Sequence, residues 1–178
     1  MRHHLTLING FLSAEKPGQA AEYVRKVQED VEAIIPKRFC ENETINLLCS
    51  SFGEKADRMG IRLNVQARVQ QELPIPDMEL CSVISNGLEN AIHAVAHLEE
   101  SWKWVEFYSE VRNNNLLIEI KNPYAGVIRM RDGLPLSAVE NHGYGCSTIR
   151  AIAEYHRGHC LFEPKNGVFM LRVVLPLR

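Results

Sequence analysis

The sequence predicts an α+β fold, a two-layer sandwich in which helices cover one face of a mixed sheet, preceded by a helical hairpin. Three observations point there. Segments of helical and strand periodicity follow one another as helix, strand, helix, strand, strand, loop, helix, strand, strand, an order that sets a layer of helices against one sheet. The longest helical segment is amphipathic, so it has an apolar stripe to bury against that sheet. Ahead of these segments, two short helical patterns are joined by Glu15-Lys16-Pro17-Gly18, a strong turn signal, and make an antiparallel hairpin.

The hairpin helices run from His4 to about Phe11 and from about Gln19 to Ile35. In the second, Ala20, Tyr23, Val24, Val27, Val31 and Ile34 recur at helical spacing, and Pro36 ends it. So small a hairpin cannot bury its apolar stripe alone, so it should dimerise or fold back on the rest of the chain. The hairpin is assigned residues 1–36 and the main domain residues 39–178. In the main domain, Ile45, Leu48, Phe52, Ala56 and Met59 make a helix that stops at Gly60. Ile61, Leu63, Val65, Ala67 and Val69 then alternate as a half-buried strand. After the long helix, strands are expected at roughly Val105–Val111 and Leu116–Lys121, joined at Arg112-Asn113-Asn114-Asn115. Pro123 to Gly145 has no periodicity, and a stretch of that length is usually functional or disordered. A last helix carries Ile149, Ile152, Ala153 and His156 and stops at Gly158, and strands near Cys160–Phe162 and Val168–Val174 close the chain.

The long helix, from Asp77 to about Glu99, carries the most informative pattern. Leu80, Ile84, Leu88, Ala91, Ile92 and Val95 line one face; Ser82, Asn86, Glu89, Asn90, His93 and His97 line the other. A solvent-facing helix surface normally carries Lys and Glu. Amide oxygens and a carboxylate instead suit Mg²⁺, a hard ion that usually carries substrate phosphates with it. By itself the stripe reads as an ordinary polar outer face. About fifty residues later, His142-Gly143-Tyr144-Gly145-Cys146-Ser147-Thr148-Ile149 places two glycines at the entrance of the last helix. There, backbone N–H groups and the helix dipole attract an anion. His93 and His97 have a spacing that suits zinc, but neither a third ligand nor a His-Glu-x-x-His accompanies them, and zinc is not expected.

An Asn-rich helix followed at this distance by a glycine-led helix resembles the ATP-binding catalytic domain of sensor histidine kinases, within the superfamily shared with gyrase, heat-shock chaperone and mismatch-repair ATPases. Asn86 to Ala91 is similar to the family's N box, His142 to Ile149 to its second glycine box, and Phe169-Met170-Leu171-Arg172-Val173-Val174-Leu175-Pro176 to its last strand. The resemblance covers nearly the whole chain and is closest to the subfamily that includes peptide quorum sensors of Gram-positive bacteria. It implies ATP and Mg²⁺ as ligands and in-line transfer of the γ-phosphoryl to a histidine. It further implies relay to an aspartate on a response regulator and a homodimer through the N-terminal helices. Pro123–Gly145 falls at the position of the family's ATP lid.

The resemblance assigns roles residue by residue. Asn90 matches the asparagine that ligates Mg²⁺. Asn86 matches the position facing the phosphates, where the true ATPases carry a glutamate that activates water; an asparagine has no basic carboxylate, which favours a kinase over a hydrolase. Glu89 is the candidate to polarise the attacking imidazole, level with a plain reading as a solvated carboxylate. His93 and His97 line the phosphate side of the site or the surface. Asn122 stands where the broader family has the aspartate of an aspartate-x-glycine motif. Asn122-Pro123-Tyr124 departs from that motif, yet an amide oxygen still accepts a hydrogen bond from the adenine amino group. Gly143 and Gly145 are assigned phosphate contacts through backbone N–H groups, with His142, Ser147 and Thr148 at the same helix entrance. Arg131 and Lys121 are further cations that sequence does not place. The phosphoacceptor has two readings. Arg2-His3 aligns with the Arg-His pair of the subfamily and makes His3 the acceptor. Alternatively, Arg2-His3-His4-Leu5 is the second half of Arg-His-Asp-x-Arg-His-His-Leu, which places the acceptor just upstream of Met1; no Asp follows His3, and this second reading is preferred.

Composition agrees with one well-packed domain and a small appendage: 178 residues, 46% hydrophobic. A net charge of −2 and a pI near 6.4 give no sign of a nucleic-acid partner, which would need a clustered basic face. Five cysteines without a C-x-x-C pair read as reduced, cytosolic thiols. With no signal peptide and no apolar run long enough to cross a membrane, the expectation is a cytoplasmic core, linked to a membrane only through a sensor region outside this chain. Two rivals remain: an ATP hydrolase of the same superfamily, against which Asn86 argues, and a degenerate, nucleotide-free dimeric interaction module, which the departure at Asn122 keeps open.

Overall fold

The computed structural model describes residues 2–34, 38–136 and 144–178. The chain forms two compact units, Met1–Lys37 and Arg38–Arg178. The first is a pair of helices, α1 (Arg2–Ser13) and α2 (Pro17–Ile34). At their junction Glu15 takes a φ of 56°, and the Lys16 N–H donates to the Phe11 carbonyl at 2.9 Å. The rings of Phe11 and Tyr23 meet with centroids 6.1 Å apart, and Ala20 is buried. Leu5, Leu7 and Leu12 stay exposed on α1, so the hairpin leaves apolar surface uncovered, as its small size dictates.

The second unit is the predicted two-layer α+β sandwich. Its sheet has the order β1-β2-β3-β7-β6, built from Arg62–Arg68 (β1), Trp104–Arg112 (β2), Asn115–Pro123 (β3), His159–Lys165 (β6) and Val168–Pro176 (β7). β1 and β2 are parallel and the other neighbours antiparallel, which makes the sheet mixed. Two hairpins close by two-residue turns in which both residues have positive φ: Asn113 and Asn114 between β2 and β3, and Asn166 and Gly167 between β6 and β7. Helices α3 (Glu43–Arg58), α4 (Asp77–Val95) and α5 (Tyr144–Tyr155) pack on one face. Val105, Phe107, Leu116, Ile118, Ile120, Leu171, Val173 and Leu175 point to them and are buried.

Local chemistry explains where the helices start and stop. The buried Asn42 caps α3, accepting from the Ile45 N–H at 3.0 Å while its own amide donates to the Gln71 carbonyl. Gly60, at a φ of 66°, ends it. α4 follows Pro76 with Asp77 and Glu79 in its first turn, where carboxylates favour the helix dipole. Past α5 the left-handed residue is Arg157, at a φ of 56°, and not Gly158. Gly158 is needed for space instead, because a Cβ there would lie 2.0 Å from the Val174 carbonyl oxygen.

The stretch read as lacking structure, Pro123–Gly145, is corrected in part. It contains a small hairpin, β4 (Met130–Arg131) and β5 (Leu134–Pro135), turning on Asp132 and Gly133, both at positive φ. Two-residue strands are too short to show a period, and the Asp-Gly turn was the available signal. Residues 137–143 lie outside the described residues.

The open face of the sheet carries an ion network. Glu119 accepts from Arg172 at 2.6 and 2.8 Å and from Lys121 at 2.6 Å. Burial alone would push the Glu119 carboxyl up, but the hydrogen bonds from Lys121 and Arg172 together outweigh it and hold it below the usual carboxylate range. A carboxylate depressed in the folded state adds stability above its unfolded pKa, and loses it as pH falls through the folded one.

Two predictions follow from this packing. Gly158→Ala should lower unfolding stability by roughly 2–3 kcal/mol, since backbone must move, whereas Gly53→Ala, on α3 with open space beyond it, should be neutral or slightly stabilising; urea denaturation compares them. Glu119→Gln should cost about 1 kcal/mol at pH 7, and its curve should converge with that of the parent protein in acid below the lowered pKa; a persistent gap in acid would rule out the charge network as the cause.

Candidate nucleotide-binding site

The polar stripe of α4 and the helix-facing side of the sheet meet at one cleft of about 360 Å³. Its floor is apolar: Ile120 from β3, Phe162 from β6, Phe169 and Leu171 from β7, and Ala91 from α4. The rings of Phe162 and Phe169 lie 6.5 Å apart at 37°. Tyr124, Ile128, Pro135 and Leu136, from the segment after β3 and its small hairpin, form one wall. The rim is polar, with Glu89, Asn90 and His93 from α4 and Cys146 from α5.

Strand alternation and one glycine put these groups in place. Ile120 and Asn122 are two apart on β3, so both face the cleft, while Lys121 between them faces the far side with Glu119. That removes Lys121 as a cation for this site. Gly87 lets α4 lie directly on the floor; a Cβ there would come within 2.5 Å of Ile120 Cδ1 and 3.0 Å of Leu171 Cδ2. α4 and α5 run in opposite directions and are tied at both ends. Near the start of α4, Glu79 bonds His156 just past α5; further along, the Asn90 amide donates to Cys146 Sγ at 3.5 Å.

The expected residues fall into distinct groups. Glu89, Asn90, His93 and Asn122 are brought together around the cleft. Asn86 and Gly145 sit beside it and face one another: a Cβ on Gly145 would lie 2.8 Å from Asn86 Oδ1, and the Asn86 amide donates back to the Ser82 carbonyl at 2.8 Å. Gly145 belongs to the first turn of α5 and does not precede it, since the helix starts at Tyr144. Ser147 and Thr148 are exposed on α5, and Thr148 Oγ1 donates to the Tyr144 carbonyl. His3 lies on α1, in the other unit. His142 and Gly143 are outside the described residues. Arg131 is exposed in the small hairpin, 3.8 Å from Asp132.

Sequence reasoning missed the floor residues Phe162, Phe169 and Leu171, the cleft-lining Cys146, and Lys55. The Lys55 ammonium, on α3, contacts both Glu89 carboxylate oxygens at 2.6 Å. Alternation along β7 was a usable signal for Phe169 and Leu171; nothing in the sequence linked Lys55 to Glu89. All five cysteines are free thiols, and burial pushes Cys146 up and Cys49 up to about 12.

The donor set fits a magnesium nucleotide. Asn122 is 3% exposed, and its amide nitrogen is committed to the Pro123 carbonyl at 2.8 Å, so its oxygen is the end available to accept a hydrogen bond. The Asn90 nitrogen is likewise committed to Cys146, which leaves an amide oxygen for a hard cation, beside the Glu89 carboxylate. Among the described residues no group of three His, Cys, Asp or Glu side chains is placed to hold a metal.

Comparison with known proteins agrees with this architecture. The model of the GHKL domain family matches residues 76–176, which span α4, β2 to β7 and α5. The nucleotide-free catalytic domain of the histidine kinase ThkA superposes with a TM-score of 0.60 in one crystal form, at 18% identity, over 76% of this chain and 90% of that one. A second form gives a TM-score of 0.61 at 19% identity. The Acinetobacter baumannii histidine kinase AdeS superposes with a TM-score of 0.56 at 13% identity, over 99% of this chain and 96% of that one. No curated protein matches. At these identities the superpositions speak for the fold; with a family model that covers most of the second unit, they establish that this chain belongs to the GHKL domain family and carries the fold of a histidine kinase catalytic domain.

Proposed function

We propose that this chain is the kinase core of a two-component sensor histidine kinase, of the peptide quorum-sensor type, that binds Mg²⁺-ATP in the cleft beneath α4 and directs its γ-phosphoryl to a histidine. The observation that carries this reading is the meeting, in one cleft, of a buried acceptor at Asn122, an apolar floor, and the Asn90 amide at the rim. The floor suits a flat purine. The Asn122 oxygen suits its amino group, which compensates for the missing aspartate. Both Asn residues have their nitrogens occupied, and each therefore presents an oxygen.

Bound Mg²⁺ would neutralise phosphate charge and hold the terminal phosphoryl in line. The protein's own part is positional. Asn90 would ligate the ion, His93 borders the same rim, and the tightly packed Asn86–Gly145 contact fixes α5 against α4. Asn86 offers no carboxylate to activate water, so the reading is transfer to a side chain and not steady hydrolysis. The acceptor is a histidine, for which His3 on α1 is the candidate within this chain. The phosphate would pass on to a response regulator. The exposed leucines of α1 support a homodimer formed through the hairpin.

Calorimetric titration with ADP, with and without Mg²⁺, tests the site. Mg²⁺-dependent binding should occur and should weaken roughly tenfold or more in Asn90→Ala, the scale of one lost ligand to a charged partner. A folded parent protein that binds no nucleotide would instead leave a nucleotide-free interaction module as the better account.

A further inference from the structure

The cleft has the wrong charge for a triphosphate. Among the described residues that line it, Glu89 is the one carboxylate and there is no Lys or Arg. Residues 137–143, which precede α5, contain Glu140 and His142 but again no Lys or Arg. A triphosphate brings several negative charges, and one Mg²⁺ offsets only part of them. The cations named from sequence do not answer this need: Lys121 is engaged with Glu119 on the far face of the sheet, and Arg131 is exposed beside Asp132.

Lys55 does answer it. It reaches from α3 to the residue next to Asn90 and lies 2.6 Å from both Glu89 oxygens. Its ammonium also lies 5.9 Å from the centroid of the Phe52 ring, one turn back on the same helix face. The pair is 35% and 55% exposed, a degree of exposure at which an ion pair adds little to stability. Its consequence is placement of charge. An ammonium has three donors, and Glu89 engages at most two, which leaves at least one for a ligand.

We propose that Lys55 is a γ-phosphate-binding residue, held at the rim of the cleft by Glu89, and that it discriminates ATP from ADP. Glu89 is then the holder of this cation, in place of the imidazole-polarising role, since both its oxygens lie 2.6 Å from the ammonium. The proposal rests on the nucleotide reading of the cleft and adds the residue that reads the third phosphate.

The test is calorimetric titration of the full chain with ADP and, separately, a non-hydrolysable ATP analogue, both with Mg²⁺. Lys55→Met should weaken the analogue roughly tenfold and leave ADP unchanged. Lys55→Gln should repeat that selective loss, and Lys55→Arg should restore most of the analogue's affinity, since the charge returns. Lys121→Met, on the far face, should change neither ligand. Equal weakening of both ligands, or an unchanged analogue in Lys55→Met, overturns the role of Lys55 while leaving the cleft a nucleotide site. A parent protein that binds neither ligand overturns the nucleotide reading, and the role of Lys55 with it.

Discussion

The close approach of α4 to the sheet is the constraint on which the rest of the second unit depends. Gly87 sits in the middle of that helix, and the space a side chain would take is filled by Ile120 and Leu171. A mid-helix glycine costs about 1 kcal/mol of helix propensity relative to alanine, so its presence here is a matter of packing. Because α4 rests directly on β3, with Leu171 of β7 beside Gly87, the cleft floor built from β3, β6 and β7 lies beneath the polar edge of the helix. Asn90 and Asn122 come from elements far apart in sequence, yet they border the same space for this reason.

The other two helices fix the edges of that space. α5 is bonded to α4 near both ends, through Glu79 with His156 and Asn90 with Cys146, and Gly145 packs on Asn86 without a side chain between them. α3 contributes a charge and not a wall, since Lys55 pairs with Glu89. The sheet divides its chemistry by face. The helix-facing side carries the core and the floor, and the open side carries the Glu119, Lys121 and Arg172 network. Alternation along β3 places Asn122 and Lys121, adjacent in sequence, on opposite sides of the sheet.

The fold was legible in the sequence because its elements are long and strongly periodic. Leu80, Ile84, Leu88, Ala91, Ile92 and Val95, read as one apolar stripe, are all buried, and the alternating strands fall where they were expected. The small hairpin at Met130–Pro135 escaped because two-residue strands have no period to read. Gly158 was read as a helix terminator, yet its role is to clear the Val174 carbonyl, which only a three-dimensional neighbour reveals. The candidate cleft was legible as a grouping where its residues lie on a single element, as with Glu89, Asn90 and His93, which line it. It was not legible where partners converge from separate elements. Cys146 against Asn90 spans 56 positions and Lys55 against Glu89 spans 34, and no local pattern encodes either pair.

The measurement that tests the central claim most directly is a two-dimensional amide NMR spectrum of the labelled protein, with and without Mg²⁺-ADP. The account predicts shifts concentrated at Asn90, Asn122, Tyr124, Gly145, Cys146 and Phe169, with Glu119 and Arg172 on the open face unmoved. Shifts confined to the open face, or none at saturating nucleotide, would contradict a nucleotide site beneath α4.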